Sequence, residues 1–490
     1  MERYPEIRLP SATEIVGPKE SGYGVYGVRL SEVTREDFFS YKDYLLECGY
    51  NEMSSCITVS SVPLDVSVFK NGNRFVALRH APGRRTWIGF YEDPDYHDWS
   101  AKEVFDEVPE TDGGYAEHVG QGIYMVCKES VSENEHLKYV KMLEENGFIK
   151  YVQHVIAGMV TNSIYTKGRV VLSVIYLKKS KKMFIEAGFD TPLSSHLELV
   201  KYSEEKNKKE ATTLAMLQMK RLGSSFIFQL KNGHYIVNDG GLGSELEELL
   251  TYLEINAPAG EKPIVEAWVI SHAHNDHSAV LVMMAENPEY AKRLQIDGIY
   301  FNEPSELKRA LEPSEANYQI LGMKDASKLF RAPIYRLQTG QRYYFYDLTM
   351  DILLASEQVP MCVHSNDFND TSTWCLYTVE GQTCMIAGDA DRGCCHVFSE
   401  IYEKGYWKFD VFTAFHHGSN TSDVVTEYCD FQTVLVSRAE QPKKHPEENA
   451  NLKAKSKEWF IKGEGSRVLT FPYKVGESII LKEFDLEYEL

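Results

Sequence analysis

An apolar run from Pro263 to Ile270 gives way to His272, His274, Asp276 and His277, and this H-x-H-x-D-H pattern constrains the fold of the 490-residue chain more than any other feature. The run reads as a buried strand, and residues 278–284 beyond the cluster read as a helix. Four ligand-type side chains between them would carry a large desolvation cost if nothing paired with them. Imidazole and carboxylate suit zinc and related borderline metals, and four such groups this close can surround two ions. The end of a strand entering a helix is also where α/β sheets place their ligands.

Other segments of the second half present similar groups at strand ends. Residues 225–230 and 234–238 read as paired strands about a turn at Lys231, Asn232 and Gly233. Asp239, Gly240 and Gly241 follow, then a helix over 245–253. Farther on, a strand from Thr383 ends in Gly388 and Asp389, and a strand over 408–415 delivers His416, His417, Gly418 and Ser419. A third strand-like run, 433–437, precedes His445, Pro446 and Glu447. Gly418 permits a sharp backbone turn.

His272, His274, Asp276 and His277 resemble the signature of the metallo-β-lactamase fold superfamily of hydrolases. The later order of Gly388-Asp389, His416-His417-Gly418-Ser419 and His445-Pro446, with the Asn-containing segment Asn369 to Trp374, is similar to a narrower branch. That branch comprises the hydrolase domain of bacterial DNA-uptake (competence) proteins and related choline-phosphate esterases. The resemblance spans about residues 222–475 and lacks membrane-channel segments. It implies an α/β chain with an αββα sandwich in its second half and two divalent ions, Zn2+ first, with Mn2+ or Fe as alternatives.

The implied metal ligands are His272, His274, Asp276, His277, Asp389 as the bridging carboxylate, and His417. His364, about 25 residues before Asp389, is either a further ligand or an ordinary loop residue, because the narrower branch has no histidine there. Asp239 is implied to orient a ligand, with a plain turn as the competing reading. The implied catalytic residues are Asp276, which orients the nucleophile, a role that Asp389 could also take, His416 at the substrate's developing anion, and His445 as proton donor or anion stabiliser. Ser278 and Ala279 depart from the family's usual glycine. The expected activity is hydrolysis by a metal-bridged hydroxide, on a phosphodiester or related ester, with a lactone, amide or thioester as the alternative. A binding or regulatory protein with a structural metal is the reading from another class, and an iron-dependent oxidoreductase a lesser one.

The first half contains a duplication. Gly24 to Val28 recurs as Gly122 to Val126, and Tyr41 to Tyr50 recurs as Tyr139 to Phe148, at an offset of about 97 positions. Each copy holds a helix ending at glycine, a hairpin (turns at Lys70 to Asn73 and Thr166 to Arg169) and a further strand, at Thr86 to Phe90 and Met183 to Ile185. Residues 1–200 therefore read as a duplicated α+β domain, with β-α-β-β-β repeats at about 22–95 and 120–190. It is expected to cover the site, shape a pocket or form a homodimer. Residues 201–221 read as a charged linker and entry helix, and 222–490 as the hydrolase domain. His80, His97 and His154 are isolated and read as surface or satisfied core histidines.

The formal charge of −20 disfavours a partner with a long phosphate backbone, leaving a small or oligomeric ester as the expected substrate. No run approaches the ~18 apolar residues that span a membrane. The nine cysteines are scattered rather than spaced as a disulfide framework, so a cytoplasmic location is the expectation.

Overall fold

The computed structural model describes residues 8–9, 15–20, 26–57, 65–72, 74–80, 86–92, 103–111, 116–199, 206–218, 223–304, 313–355, 368–390, 392–419, 423–438 and 446–481. The fold is mixed α/β, with four sheets among these residues. No described helix is long and apolar enough to cross a membrane.

The duplication appears as two six-stranded antiparallel sheets of identical order. The first comprises β1 (Ile15–Glu20), β2 (Tyr26–Leu30), β3 (Asn51–Ile57), β4 (Asp65–Asn71), β5 (Arg74–His80) and β6 (Thr86–Glu92), arranged β1-β2-β6-β5-β4-β3. The second comprises β7 (Ala116–His118), β8 (Tyr124–Lys128), β9 (Ile149–Ile156), β10 (Val160–Lys167), β11 (Val170–Leu177) and β12 (Lys182–Phe189), arranged β7-β8-β12-β11-β10-β9. The sequence pattern of β-α-β-β-β thus misses two strands per copy: one before the glycine-rich strand and one directly after the helix. The latter, β9, shows Ile149 and Val155 to solvent and so carries no clean alternation.

The helices α1 (Arg35–Glu47) and α2 (Glu133–Glu145) repeat each other in detail. Thr34 and Ser132 cap them, each in a reciprocal box with the acid three residues on, Asp37 and Glu135. Such a cap stabilises a helix by about 1 kcal/mol. Gly49 and Gly147 follow the helices at φ +83° and +84°, a conformation that side chains resist. Each helix packs on its own sheet, α1 through Phe38 and Leu45 and α2 through Tyr139 and Leu143.

Residues 206–481 contribute the other two sheets. The nine-stranded sheet contains β13 (Thr213–Met216), β14 (Phe226–Gln229), β15 (Tyr235–Asn238) and β16 (Ile264–Val269), with β15 and β16 parallel. Residues 213–216 correct the expected entry helix. Although their composition permits a helix, they pair with β14 on one side and with residues 467–470 on the other, and the ladder overrides local propensity. The seven-stranded sheet runs through Trp374–Val379, Gln382–Ile386, Lys408–Thr413, Asp430–Val436 and Glu458–Ile461, the last four parallel.

The inner faces of these sheets share one core, in which Phe228, Ile236 and Val269 meet Ile352, Tyr377 and Ile386. On the outer face of the nine-stranded sheet lie α3 (Leu246–Asn256), α4 (Asn275–Glu286) and the helix Pro313–Phe330, through Leu249, Leu281 and Met323. Residues of Arg392–Ile401 and Pro446–Lys455, including Phe398 and Leu452, cover the far side of the seven-stranded sheet. Strand β11 is buried on both faces: Leu172 and Val174 face α2, while Ile175 and Leu177 join the core that contains Phe398 and Tyr402.

Candidate metal centre

Five strand ends converge. Strand β15 leads to Asp239, β16 to Ser271 and the histidine cluster, and the strands ending at Ile386, Thr413 and Val436 lead to Asp389, His417 and Ser437. Both sheets contribute, and a backbone bond ties them at this edge, Thr373 N donating to Ser271 O at 3.0 Å; within the seven-stranded sheet His416 N donates to Gly388 O at 3.2 Å. Helix α4 starts at Asn275, three residues before the apolar pattern suggested. Asp276 and His277 therefore occupy its first turn, where a carboxylate is favoured by the helix dipole.

Ligand atoms of Asp276, His277, Asp389 and His417 all lie within 4.8 Å of one another. His277 Nε2 is 3.0 Å from Asp389 Oδ1, and His417 Nε2 is 3.1 Å from Asp276 Oδ2 and 3.4 Å from Asp389 Oδ2. Beside this group, His272 Nε2 faces His274 Nδ1 at 2.9 Å, and the His272 and His277 ring centroids are 4.3 Å apart. His272, His277, Asp389 and His417 are buried, whereas the His416 side chain is 30% exposed. His416 sits at the rim, its Nε2 3.6 Å from Asp389 Oδ2. His364 and His445 lie outside the described residues, as does His97.

The neighbours of the imidazoles decide which nitrogen is available. Asp239, fully buried, accepts from Ser271 N at 2.8 Å and Ser271 Oγ at 3.0 Å, and its Oδ2 lies 2.9 Å from His277 Nδ1. Asp239 thus fixes the His277 imidazole rather than merely closing a turn. Ser271 Oγ, its proton directed to Asp239, can accept from His272 Nδ1 at 3.0 Å. His417 Nδ1 faces both the carbonyl and the hydroxyl of Ser437 at 3.0 Å. With each Nδ1–H committed to a fixed acceptor, the Nε2 lone pairs of His272, His277 and His417 are left for a cation. His277 Nε2 is buried without a hydrogen bond of its own.

Charge makes the same demand. Burial alone would lower His277, but Asp389, Asp239 and Asp276 raise it well above the usual histidine range. Burial likewise opposes the charge on His417, yet Asp389 and the hydrogen bond to Asp276 push it up to about 9. His272 is held well below the usual range by burial and by the His277 and His274 charges, which outweigh the opposing effect of Asp389. The carboxylates need positive charge among them, and the donor set of imidazole and carboxylate fits zinc or a similar divalent ion.

The backbone is strained where the site is built. Asp239, His416 and His417 have φ of +60°, +48° and +52°, a region that costs a non-glycine residue roughly 1–3 kcal/mol. The sequence placed the turn at Gly418 alone, but all three residues from His416 to Gly418 are left-handed. Asn449 Nδ2 holds Gly418 O at 2.7 Å. Sequence reasoning did not single out Ser437 or Asn449, since a serine at a strand end and an asparagine in a polar helix are ordinary. His154 is a satisfied core residue, its Nδ1 accepting from Arg342 N at 3.1 Å and its Nε2 lying 2.9 Å from Leu197 O; His80 is buried with Nδ1 2.9 Å from Thr86 Oγ1, but its Nε2 has no hydrogen bond.

No protein-family model matches this chain, and no curated protein matches it either.

Proposed function

We propose that residues 222–475 are an αββα metallo-β-lactamase fold domain and that the chain is a two-metal hydrolase of a phosphodiester or related ester. Helices outside two sheets whose inner faces share a core support the fold reading. The observation that carries the activity is the buried convergence of Asp276, His277, Asp389 and His417 within 4.8 Å, with His272 and His274 beside it. His272 and His274 would hold one ion, Asp276, His277 and His417 the other, and Asp389 both. Bound divalent metals lower the pKa of water from 15.7 towards about 7 and polarise a phosphoryl oxygen.

The remaining work falls to the chain's own side chains. Asp276, 20% exposed, is placed to accept a hydrogen bond from the attacking water and align it. Asn369 Nδ2 lies 3.3 Å from His416 Nδ1. An amide donor there leaves the ring proton on Nε2 and makes His416 a donor rather than a ligand. From the rim of the cluster it can stabilise charge developing on the substrate oxygen.

Zinc-loaded protein is expected to hydrolyse bis(4-nitrophenyl) phosphate, to stop when the metal is chelated and to resume when zinc is returned, with His274→Ala inactive throughout. Protein carrying two metal equivalents but inert to a broad panel of phosphodiesters would exclude this reading.

A further inference from the structure

We infer that Arg438 is the anion-recognition residue of this site and binds a non-bridging oxygen of an anionic phosphoester, an inference that rests on the hydrolase reading above. Arg438 directly follows Ser437, whose carbonyl and hydroxyl hold His417 Nδ1. Its Nη1 donates to Ser419 Oγ at 2.8 Å, and Ser419 N in turn donates to His416 O at 2.7 Å. One hydrogen bond thus tethers the guanidinium to the tripeptide turn that presents both site histidines. Gly463 N fixes the Arg438 carbonyl at 3.2 Å.

Three arginines of this half are visibly spent on carboxylates. Arg293 closes on Glu247 and Glu254, Arg336 on Glu186, and Arg342 on Asp351. Arg438 has no carboxylate partner among the described residues and is only half-buried. A guanidinium carries five N–H donors in a planar fork, and Ser419 uses one. The rest form a positively charged, bidentate receptor beside a hydrolytic centre, which matches a phosphoryl group and has little to offer a neutral carbonyl ester. A preference for anionic substrates at the metals is therefore compatible with the chain's overall negative charge, because the recognition is local.

Titration of inorganic phosphate into zinc-loaded protein tests this directly, with zinc content measured in parallel. Arg438→Ala is expected to weaken phosphate binding about tenfold to hundredfold, the range for a hydrogen bond to a charged group. Arg438→Lys should recover part of the loss, since an ammonium supplies charge without the fork. Ser419→Ala, which releases the tether but keeps the cation, should weaken binding by less than Arg438→Ala. In turnover, Arg438→Ala should raise KM for bis(4-nitrophenyl) phosphate by more than KM for neutral 4-nitrophenyl acetate. Equal phosphate affinity in wild type, Arg438→Ala and Arg438→Lys, at equal zinc content, overturns the inference even if the diester is hydrolysed. Unequal affinity in protein inert to the whole phosphodiester panel would sink the hydrolase reading and leave Arg438 as an anion site.

Discussion

Asp239 touches no candidate substrate, yet three hydrogen bonds converge on its buried carboxylate, from Ser271 N, Ser271 Oγ and His277 Nδ1. Asp239→Asn keeps the shape but replaces one acceptor oxygen by a donor, so one of these partners must turn away. Zinc affinity is expected to fall about tenfold to hundredfold, as for other residues that orient a ligand, and competition with a chromogenic chelator would measure it. Unchanged affinity would show that His277 needs no such support. His417 predicts a pH dependence. Its folded pKa, raised to about 9, exceeds the ~6.5 of an unfolded histidine. In metal-free protein its charged form therefore stabilises the fold fully below about pH 6.5, and that contribution is lost as pH rises through about 9. Melting temperatures of chelated protein should fall across this window, and His417→Gln should flatten the fall. Parallel curves for both proteins would remove His417 as the cause.

The strand ends set the site by bringing short turns into tight register. Gly388 precedes the bridging candidate Asp389 at φ +53°, and a Cβ there would lie 2.4 Å from Ser271 Oγ and 2.6 Å from Ser271 Cβ. Gly388→Ala would therefore push apart the turns from the two sheets. Strain from the backbone alone costs about 1–3 kcal/mol, with the clash added. We expect a lower denaturation midpoint and a loss of bound zinc larger than that for Asp239→Asn, measured by denaturant titration and elemental analysis. A variant with wild-type zinc content would mean that the two turns tolerate separation.

The second repeat and the site-bearing half are joined by buried polar contacts. Glu186 on β12 accepts from Arg336 Nε at 3.2 Å and from Gln338 Nε2 at 2.8 Å, with the two charged side chains 0% and 2% exposed. Asn162, also buried, donates to Thr339 O at 3.0 Å. Removing one member of such a pair strands the other charge, typically at a cost of about 3–5 kcal/mol. Arg336→Met should accordingly destabilise the protein by that order in equilibrium unfolding, and Arg336→Met with Glu186→Leu should recover much of it. A double variant no better than the single one would place the cost in packing.

The amino-acid sequence by itself determined the local elements with strong signals. The buried strand before His272, the strands before Asp389 and His416, and the capped, duplicated helices all follow from periodicity and turn chemistry that act within a few residues. It also marked Asp276, His277, Asp389 and His417 as ligand types at strand ends. Edge strand β9 and the strand at 213–216 were not legible, because their conformation is imposed by hydrogen bonds to partners distant in sequence. The resemblance favoured His417 over His416, and the tertiary structure supplies the physical difference between them: one left-handed turn buries His417 against Asp276 and Ser437 and leaves its neighbour at the rim. It also decided that Asp239 orients His277 and that Arg438 is tied to Ser419, since distances between strand ends exist only once two sheets have packed.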